Sequence, residues 1–184
     1  MPYDPDKHHR RSIRLKVYDY TQAGAYFVTL CAWQHECLFG EIVDDEMRLN
    51  DYGRVLEEEW VRTAEVRPNV DLDAFVVMPN HLHGIIVICG NPVGASRRLA
   101  PTGTARIAAG SLGAIIGQIK SITTKRINAL RNAPGQPVWQ RNYHEHIIRS
   151  ETALNNIRQY IAHNPVRWAE DEENPAGTRN TAKR

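Results

Sequence analysis

Two histidines, His81 and His83, lie one residue apart in the otherwise apolar stretch FVVMPNHLHGIIVI, which spans Phe75 to Ile88. An apolar run bounded by polar segments predicts a buried strand, and burying an imidazole without a partner costs free energy because its nitrogens lose water. Residues i and i+2 of a strand point to the same face, so the two imidazoles project together. Such a pair can donate two nitrogen ligands to one divalent metal ion.

The His-x-His spacing alone does not separate a metal site from two histidines that alternate on a solvated strand end. Metallohydrolases also use this spacing, but they usually continue with an aspartate, whereas Gly84 and two isoleucines follow here. A metal site would also need a third ligand from another part of the chain.

The last predicted helix supplies a candidate for that ligand. Tyr160 and Asn164 are four residues apart in QYIAHNP, so a phenol and an amide oxygen are neighbours on one helix face. The alternative is structural: Tyr160 borders the apolar stripe of Ile157 and Ile161, and Asn164 before Pro165 could simply end the helix.

A rival group of candidates lies in the segment YHEHI, which is part of a predicted strand. Tyr143 could act as a nucleophile there, while His144 and His146 share a strand face and could bind a metal. Tyr143 has no amide ligand one helical turn away, so it ranks below Tyr160. His163, near the end of the last helix, could be a fourth ligand or a phosphate contact, but a solvated helix residue fits it better.

The three cysteines, Cys31, Cys37 and Cys89, are odd in number and unevenly spaced. We therefore expect free thiols rather than a disulfide framework. The segment CAWQHEC could offer Cys31, His35 and Cys37 to a metal, but that spacing matches no zinc pattern. No metal site is predicted in this segment.

Charge is unevenly distributed along the chain, although the net charge is only +2. Residues 41–73 are mainly acidic, whereas the basic residues between positions 90 and 149 are opposed by Glu145 alone. Together with a basic N-terminal arm they could form a surface for a polyanion, with nucleic acid the leading candidate, although charge runs often mean only a solvated surface. The residues assigned to phosphate contacts are Arg10, Arg11, Arg14, Lys120, Lys125 and Arg126.

Hydrophobic periodicity predicts a strand, a hairpin, a helix, two paired strands, a helix, a strand and a final helix. The hairpin turns at Asp44 and Asp45, and the expected helix caps are Asn50 or Asp51, then Ser111, then Ser150. The Ser111 helix carries an apolar stripe from Leu112 to Leu130. This order suggests an α+β fold with helices packed on an antiparallel sheet, ferredoxin-like or RNA-recognition-motif-like.

The length of 184 residues and a hydrophobic fraction of 42% predict one domain with a sizeable core. We expect a basic arm at residues 1–16, a single domain at 17–168 with a mobile loop at 90–110, and a loose polar tail at 169–184. The sequence lacks a long apolar run and a cleavable leader pattern, so a cytoplasmic protein without membrane insertion is expected.

Four blocks of the chain together resemble a known family: RRSIRLKVYDYTQAGAYFVTL, VVMPNHLHGIIV, VWQRNYHEHIIR and IRQYIAHNPVRW. They occur in the order found in the single-tyrosine HUH transposases, especially the REP-associated branch, and the resemblance covers residues 10–168. Where the insertion-sequence branch usually has glutamine, this chain has Asn164, as the REP-associated branch does.

The resemblance implies an HUH endonuclease fold in which His81, His83 and Asn164 bind Mg²⁺ or Mn²⁺ and Tyr160 is the nucleophile. It implies attack on single-stranded DNA that leaves a 5′-phosphotyrosine and a free 3′-hydroxyl, with a hairpin from a repetitive extragenic palindrome as the DNA partner. A nucleoid-associated location follows. Because insertion-sequence relatives are dimers that can share sites, a homodimer and a monomer are equally compatible with the sequence.

The chemistry suits these residue types, because an unperturbed tyrosine has a pKa of about 10 and is a poor nucleophile at pH 7. A metal ion can polarise the phosphate and neutralise its developing charge. The competing hypothesis is a non-catalytic nucleic-acid binder on the same sheet, in which Tyr26, Phe27 or Trp139 stack on bases and the histidines are incidental.

Overall fold

The computed structural model describes residues 22–90 and 110–176. Its sheet strands and helices follow the predicted order, with short 3-10 turns at Trp33–His35 and Trp168–Glu170. The elements are β1 (Gly24–Cys31), β2 (Gly40–Val43), β3 (Glu46–Leu49), α1 (Asp51–Glu65), β4 (Val70–Val77), β5 (His81–Ile88), α2 (Leu112–Leu130), β6 (His144–Ile148) and α3 (Glu151–His163).

Four of the strands form one antiparallel sheet in the order β4-β5-β1-β6. The β2-β3 hairpin forms a separate two-stranded sheet. Asp44 and Asp45 both have positive φ, 53° and 62°, as a two-residue hairpin turn with the twist of its strands requires. The predicted α+β class and the predicted hairpin turn are confirmed.

Each helix begins at the type of cap that its sequence predicts. Asn50 accepts hydrogen bonds from two backbone amides at the start of α1, and Ser111 and Ser150 each accept one at the starts of α2 and α3. These side chains satisfy amides that have no partner within the helix. The predicted apolar stripe of α2 ends early, however, because Leu130 is 55% exposed.

One face of the sheet carries the hydrophobic core. Tyr26, Val28 and Leu30 of β1 alternate with residues on the opposite face and are fully buried, as is Leu82 of β5. Buried side chains of α1 and α2, including Trp60, complete the cluster. The alternation along β1 and β5 therefore places His81 and His83 on the opposite face of the sheet, away from this core.

The third helix contacts β4 and is tied to it by an ion pair. Arg158 of α3 donates from Nε and Nη2 to the two carboxylate oxygens of Asp73, at 2.8 and 2.6 Å. Asp73 lies where the β4-β5 register shifts, between Leu72 and Phe75. A two-point guanidinium-carboxylate contact fixes orientation as well as distance, so it helps to set the position of α3.

Three expectations differ from the structure or lie outside it. The strand expected over PVWQRNYHEHIIR is regular only from His144 to Ile148, and the preceding residues contribute an isolated β-bridge between Ala32 and Trp139. Of the tail expected to be loose, residues 169–176 are described, and they follow Trp168 in the 3-10 turn at Trp168–Glu170. Residues 1–21, 91–109 and 177–184, with the basic arm and most of the expected loop, lie outside the described residues.

Gly84 of β5 leaves the space that the Trp60 indole occupies. A Cβ at this position would lie 2.3 Å from Cζ2 of Trp60, a ring that is fully buried. We expect Gly84→Ala to lower the free energy of unfolding by about 1–3 kcal/mol, because the packed core must shift to admit the methyl group. Urea denaturation followed by circular dichroism measures the change.

The matched control is Gly117→Ala in α2, where a Cβ meets nothing within 4 Å. Alanine is preferred over glycine in a helix interior by about 0.5–1 kcal/mol, so this substitution is expected to be neutral or stabilising. If both alanine variants had the stability of the native chain, the close packing of Trp60 on Gly84 would not contribute to the free energy of unfolding.

Candidate active site

His81 and His83 project from β5 on the face that the main core does not occupy. They lie opposite Cys31 and Thr29 of β1 in the antiparallel register. Their exposed fractions are 0% and 4%, and their ring centroids are 4.4 Å apart. The alternation of β5 thus brings both imidazoles to one buried location.

Asn80 sets the protonation pattern of His81. The Asn80 side-chain nitrogen donates to the carbonyl oxygens of His35 and Glu173, at 3.1 and 2.6 Å. Its oxygen therefore faces His81 Nδ1 at 2.8 Å and can only accept. The Nδ1 atom of His81 must carry the proton, and Nε2 keeps a free lone pair.

His83 is held by contacts at both ring nitrogens. Its Nδ1 lies 2.9 Å from the Thr29 hydroxyl, and its Nε2 lies 3.2 Å from the hydroxyl oxygen of Tyr160. A neutral imidazole has one donor and one acceptor nitrogen. When Thr29 accepts from Nδ1, Nε2 accepts from Tyr160, and both histidines then present Nε2 as an electron-pair donor.

Asn164 reaches the same location from the end of α3. It is 3% exposed, and its side-chain nitrogen donates to a carboxylate oxygen of Asp171 at 3.2 Å. Its oxygen, like His81 Nε2, is buried and makes no hydrogen bond within the described residues. Two buried electron-pair donors without a proton donor are what a metal site requires and what an ordinary protein interior avoids.

Asp171 adds a carboxylate that the sequence reasoning missed. Ligand atoms of His81, His83 and Asp171 all lie within 4.8 Å of one another. Asp171 follows the 3-10 turn Trp168–Glu170 and belongs to the segment that was expected to be loose. The acidic run beginning at Glu170 was its only signal in the sequence, and nothing local shows that the run folds back onto β5.

Burial keeps both histidines neutral over the physiological range. Desolvation lowers the pKa of His81 to about 3, with a further contribution from the neighbouring His35. Desolvation likewise lowers the pKa of His83 to about 3, assisted by His81. Neutral imidazole is the form that binds metals, so the two side chains are ready to act as ligands without losing a proton.

This burial predicts a loss of stability in mild acid. The unfolded chain binds protons at these two histidines below pH 6.5, whereas the folded chain binds them only near pH 3. The contribution of the two neutral histidines to the free energy of unfolding is therefore fully present above pH 6.5. It falls as the pH decreases toward 3, by about 1.4 kcal/mol per pH unit for each histidine. Urea unfolding in the presence of a chelator, at about pH 7 and about pH 5, measures the slope.

His83→Gln provides the comparison for that measurement. Glutamine does not titrate, so the variant should lose less stability between the two pH values, by about 2 kcal/mol. Contributions from carboxylates elsewhere are common to both proteins and cancel. Equal pH slopes for the native chain and the variant would contradict the assignment of a neutral, buried His83.

Tyr160 is the partly exposed member of the site. It is 44% exposed, and its ring lies 5.2 Å from that of His83 and 6.1 Å from that of Phe27. Desolvation and the nearby Asp171 raise the pKa of its hydroxyl. Without a metal ion, Tyr160 is thus a neutral phenol at pH 7. A cation beside it would be needed for it to become an effective nucleophile.

A cavity of about 800 Å³ opens beside Tyr160. Its lining includes aromatic and histidine side chains of the sheet and of α3, together with the carboxylates at positions 170–173. An open, partly aromatic cavity of this size can admit a nucleotide unit. Because the carboxylates repel phosphate, positive charge is needed at the site before a DNA strand binds there.

The rival group is distributed differently. His144 lies opposite Thr29 on β6 and lines the cavity, but it is exposed and is not part of the group around Asp171. Tyr143 packs against the hydrophobic core and under the Lys120 ammonium. His146 is exposed. His163 is also exposed, and its Nδ1 donates to the Gln159 carbonyl at 2.7 Å.

Two of the basic residues assigned to phosphate are engaged within the protein. Lys120 donates to the carbonyl oxygens of Gln140 and Asn142, both at 2.8 Å, and desolvation lowers its pKa to about 8. Arg126 pairs with Glu58 and Glu59 of α1. Lys125 is exposed beside a groove between α2 and residues 134–141. Arg10, Arg11 and Arg14 lie outside the described residues.

In the described ranges, 22–90 and 110–176, no helix is both long and apolar enough to cross a membrane. The cysteines there, Cys31, Cys37 and Cys89, are all free thiols, as predicted.

Comparison with known proteins finds relatives in sequence and in fold. No family model matches it. An uncharacterised protein of Haemophilus influenzae is 42% identical over 178 residues, which cover 92% of this chain and 96% of that protein. A second Haemophilus influenzae protein, named "Putative REP-associated tyrosine transposase", is 25% identical over 152 residues, which cover 81% of this chain and 74% of that protein.

A solved structure shares the fold. It is described as a REP-associated tyrosine transposase bound to a REP hairpin, and it superposes with a TM-score of 0.57 at 20% identity, over 85% of this chain and 74% of that chain. The resemblance to REP-associated tyrosine transposases seen in the sequence is confirmed, and it supports a DNA-processing enzyme. The chain belongs to the family of its uncharacterised Haemophilus relative, and it resembles REP-associated tyrosine transposases in sequence and in fold.

Proposed function

We propose that this protein cuts and rejoins single-stranded DNA through a covalent bond to Tyr160, with a divalent metal ion, Mg²⁺ or Mn²⁺, as cofactor. One observation carries the proposal: the Tyr160 hydroxyl lies 3.2 Å from His83 Nε2, beside the unpaired His81 Nε2 and the unpaired Asn164 oxygen. A nucleophile adjacent to a set of metal-ligand atoms is the arrangement that metal-assisted phosphoryl transfer needs.

The residues present fit such an ion. His81 and His83 would supply nitrogen ligands, Asn164 an amide oxygen and Asp171 a carboxylate oxygen, a mixed set that suits Mn²⁺ and accommodates Mg²⁺. When bound, the ion supplies Lewis-acid stabilisation of the negative charge on the phosphoryl oxygens. Thr29 and Asn80 act behind the ligands, since they fix the tautomer and orientation of the two imidazoles.

Tyr160 performs the bond-making step in this proposal. Its hydroxyl oxygen forms a bond to phosphorus while the bond from phosphorus to the 3′ oxygen breaks, which leaves a 5′-phosphotyrosine and a 3′-hydroxyl. The phenol proton is lost as the bond forms, and the leaving 3′ oxygen gains a proton. The phosphodiester energy is retained in the new ester, so attack by a 3′-hydroxyl reverses the step and joins strands.

The same geometry supports action within one subunit. Tyr160 and His83 contact each other in a single chain, and the Arg158–Asp73 ion pair holds α3 against β4 of that chain. A tyrosine helix that served a partner would have to leave this contact. We therefore propose that Tyr160 works in cis, whether the protein is a monomer or a homodimer.

The proposed substrate is a single-stranded or hairpin DNA of the REP type. The solved relative of the same fold was bound to a REP hairpin. A groove of about 950 Å³ between α2 and residues 134–141 includes Lys125, Arg141 and several amide side chains, which suit phosphate and base contacts. Lys120 and Arg126 can contact DNA phosphates only if they release their partners within the protein. We also propose that Arg10, Arg11 and Arg14 contact phosphates and that the protein is located at the nucleoid.

The decisive experiment uses labelled single-stranded hairpins from the surrounding genome, incubated with the protein and Mn²⁺. We expect a protein-DNA adduct that survives denaturation, and mass spectrometry should locate the DNA on Tyr160. The competing hypothesis, a non-catalytic binder, predicts a retarded native complex without any adduct. An adduct on Tyr143 would instead select the rival nucleophile.

A further inference from the structure

A second group of metal-ligand side chains lies outside the proposed catalytic site. Cys31 ends β1, His35 closes the 3-10 turn that follows, and Glu173 belongs to the C-terminal segment. One ligand atom from each, a thiol sulfur, an imidazole nitrogen and a carboxylate oxygen, lies within 4.8 Å of the others. The spacing of Cys31 and His35 alone gave no zinc pattern, because the third side chain is distant in sequence.

The backbone around this group is held in place by neighbouring side chains. Asn80 donates to the carbonyl oxygens of both His35 and Glu173, so one amide ties two of the three residues together. Gln34 and His35 have φ values of 54° and 55°, a left-handed conformation that is costly for residues with a side chain. The fold therefore maintains a specific orientation of the His35 ring.

Both ring nitrogens of His35 have contacts within the chain. His35 Nδ1 lies 2.8 Å from a Glu173 carboxylate oxygen, and its Nε2 lies 2.7 Å from the Gln140 amide. An ion bound at Nδ1 would let Nε2 donate to the Gln140 oxygen after a flip of that amide, which is the usual outer contact of a metal-bound histidine. Cys31 is 8% exposed, and its sulfur lies within 4.8 Å of the His35 and Glu173 ligand atoms.

The chemistry of the set selects zinc rather than the cation of the catalytic site. Sulfur, nitrogen and carboxylate oxygen are the ligands of Zn²⁺, whereas Mg²⁺ and Mn²⁺ prefer oxygen and nitrogen without sulfur. A thiolate and a carboxylate together balance the charge of Zn²⁺. Tetrahedral zinc sites place their ligand atoms about 3.5 Å apart, and the three ligand atoms here lie within 4.8 Å of one another, with His35 Nδ1 and the Glu173 oxygen at 2.8 Å. Side-chain rotation would have to adjust these separations when an ion binds.

Without an ion, the thiol is protonated. Burial and the adjacent Glu173 raise the pKa of Cys31 to about 12, so a metal ion has to displace the thiol proton when it binds. The Cys31 thiol and the His35 ring otherwise serve as partners for Glu173, which is the structural alternative to a metal site.

We propose that Cys31, His35 and Glu173 bind a structural zinc ion, with water as the fourth ligand, that fastens the C-terminal segment to the end of β1. This site adjoins the proposed catalytic group through Asn80, but it shares no ligand with His81 and His83 and does not depend on the proposed DNA chemistry. Its sulfur ligand gives it a spectroscopic signature that a site of nitrogen and oxygen ligands lacks.

Cobalt substitution tests the proposal in the full chain. The chelator-treated protein is titrated with Co²⁺, and we expect a near-ultraviolet thiolate-to-cobalt charge-transfer band that saturates by two equivalents, since the proposed catalytic site also binds divalent ions, and that is removed by added Zn²⁺. Cys31→Ser should abolish the band, whereas the double variant Cys37→Ser and Cys89→Ser should retain it. His81→Gln should also retain it, because that residue belongs to the other site.

Glu173→Gln is a second test variant that is expected to fold, since Glu173 is partly exposed and lies in the C-terminal segment. We expect this variant to keep native circular dichroism and to bind Co²⁺ at the thiolate site at least about tenfold more weakly, because loss of outer contacts alone costs that much. No band in the native chain, or a band that persists in Cys31→Ser, would overturn the zinc site. DNA cleavage that continues in these variants leaves the proposed function standing, so the two proposals can fail separately.

Discussion

Tyr160→Phe is expected to eliminate both DNA cleavage and the covalent protein-DNA adduct while DNA binding stays within about threefold of the native value. The substitution removes one oxygen atom, the proposed nucleophile, and leaves the ring and its packing against Phe27 and His83. Loss of a nucleophile typically lowers a rate by several orders of magnitude, and we expect a decrease of at least about 1,000-fold. Denaturing gels measure cleavage, and fluorescence anisotropy with a labelled hairpin measures binding.

Tyr143→Phe is the matched control. Tyr143 is the other tyrosine that the sequence offered as a nucleophile, but its ring packs against the core and lies beneath Lys120 at 5.8 Å. Its phenylalanine variant should cleave DNA at nearly the native rate. If Tyr160→Phe retained an adduct, or if Tyr143→Phe lost it, the nucleophile would be misassigned.

Removal of the metal is the second change with a large expected effect. EDTA should reduce cleavage to background, and Mn²⁺ in excess should restore it. His83→Ala should have the same effect as EDTA and should resist rescue, because it removes one ligand and also the hydrogen-bond partner of Tyr160. We expect at least about a 100-fold loss of cleavage for His83→Ala, since outer-shell changes alone cost 10-fold to 100-fold.

His144→Ala separates metal binding from general effects of losing a histidine. His144 lies on the neighbouring strand, opposite Thr29, and lines the same cavity. It does not belong to the group formed with Asp171, so its variant should keep most of the activity and the same Mn²⁺ dependence. Cleavage that continues in EDTA would contradict a metal-dependent mechanism. Equal losses of cleavage activity in His83→Ala and His144→Ala would contradict a specific role for His83.

Asp171→Asn tests the proposed ligand that was not predicted from the sequence. The substitution keeps the side-chain volume and one oxygen but removes the negative charge beside His81 and His83. We expect the Mn²⁺ concentration for half-maximal cleavage to rise about tenfold, while the maximal rate at saturating Mn²⁺ changes less. An unchanged Mn²⁺ requirement would mean that Asp171 only positions Asn164 through their hydrogen bond.

Local sequence signals were sufficient for most of the secondary structure. The helix caps Asn50, Ser111 and Ser150 are side chains that bond to backbone within a few residues, and the turn at Asp44 and Asp45 uses residues that tolerate positive φ. Alternation along β5 was enough to place His81 and His83 on one face. These features depend on contacts between neighbours in sequence, which periodicity and residue type report directly.

Contacts between distant segments could not be predicted in the same way. Lys120 and Arg126 were predicted to contact phosphate, since both lie off the apolar stripe of α2. In the fold, Lys120 donates a hydrogen bond to the segment before β6 and Arg126 forms an ion pair with α1. Leu130 continues the stripe and is nevertheless exposed, because a stripe shows which face is apolar and not where the neighbouring elements end.

The amino-acid sequence by itself determined the α+β class, the paired imidazoles and the face of α3 that carries Tyr160 and Asn164, since each follows from spacing along one element. Only the tertiary structure decided that β5 and α3 meet, through the antiparallel sheet and the Arg158–Asp73 ion pair. It also decided that the C-terminal segment returns to place Asp171 beside the histidines. These contacts join residues far apart in the chain, and their free energy depends on packing that no local pattern encodes.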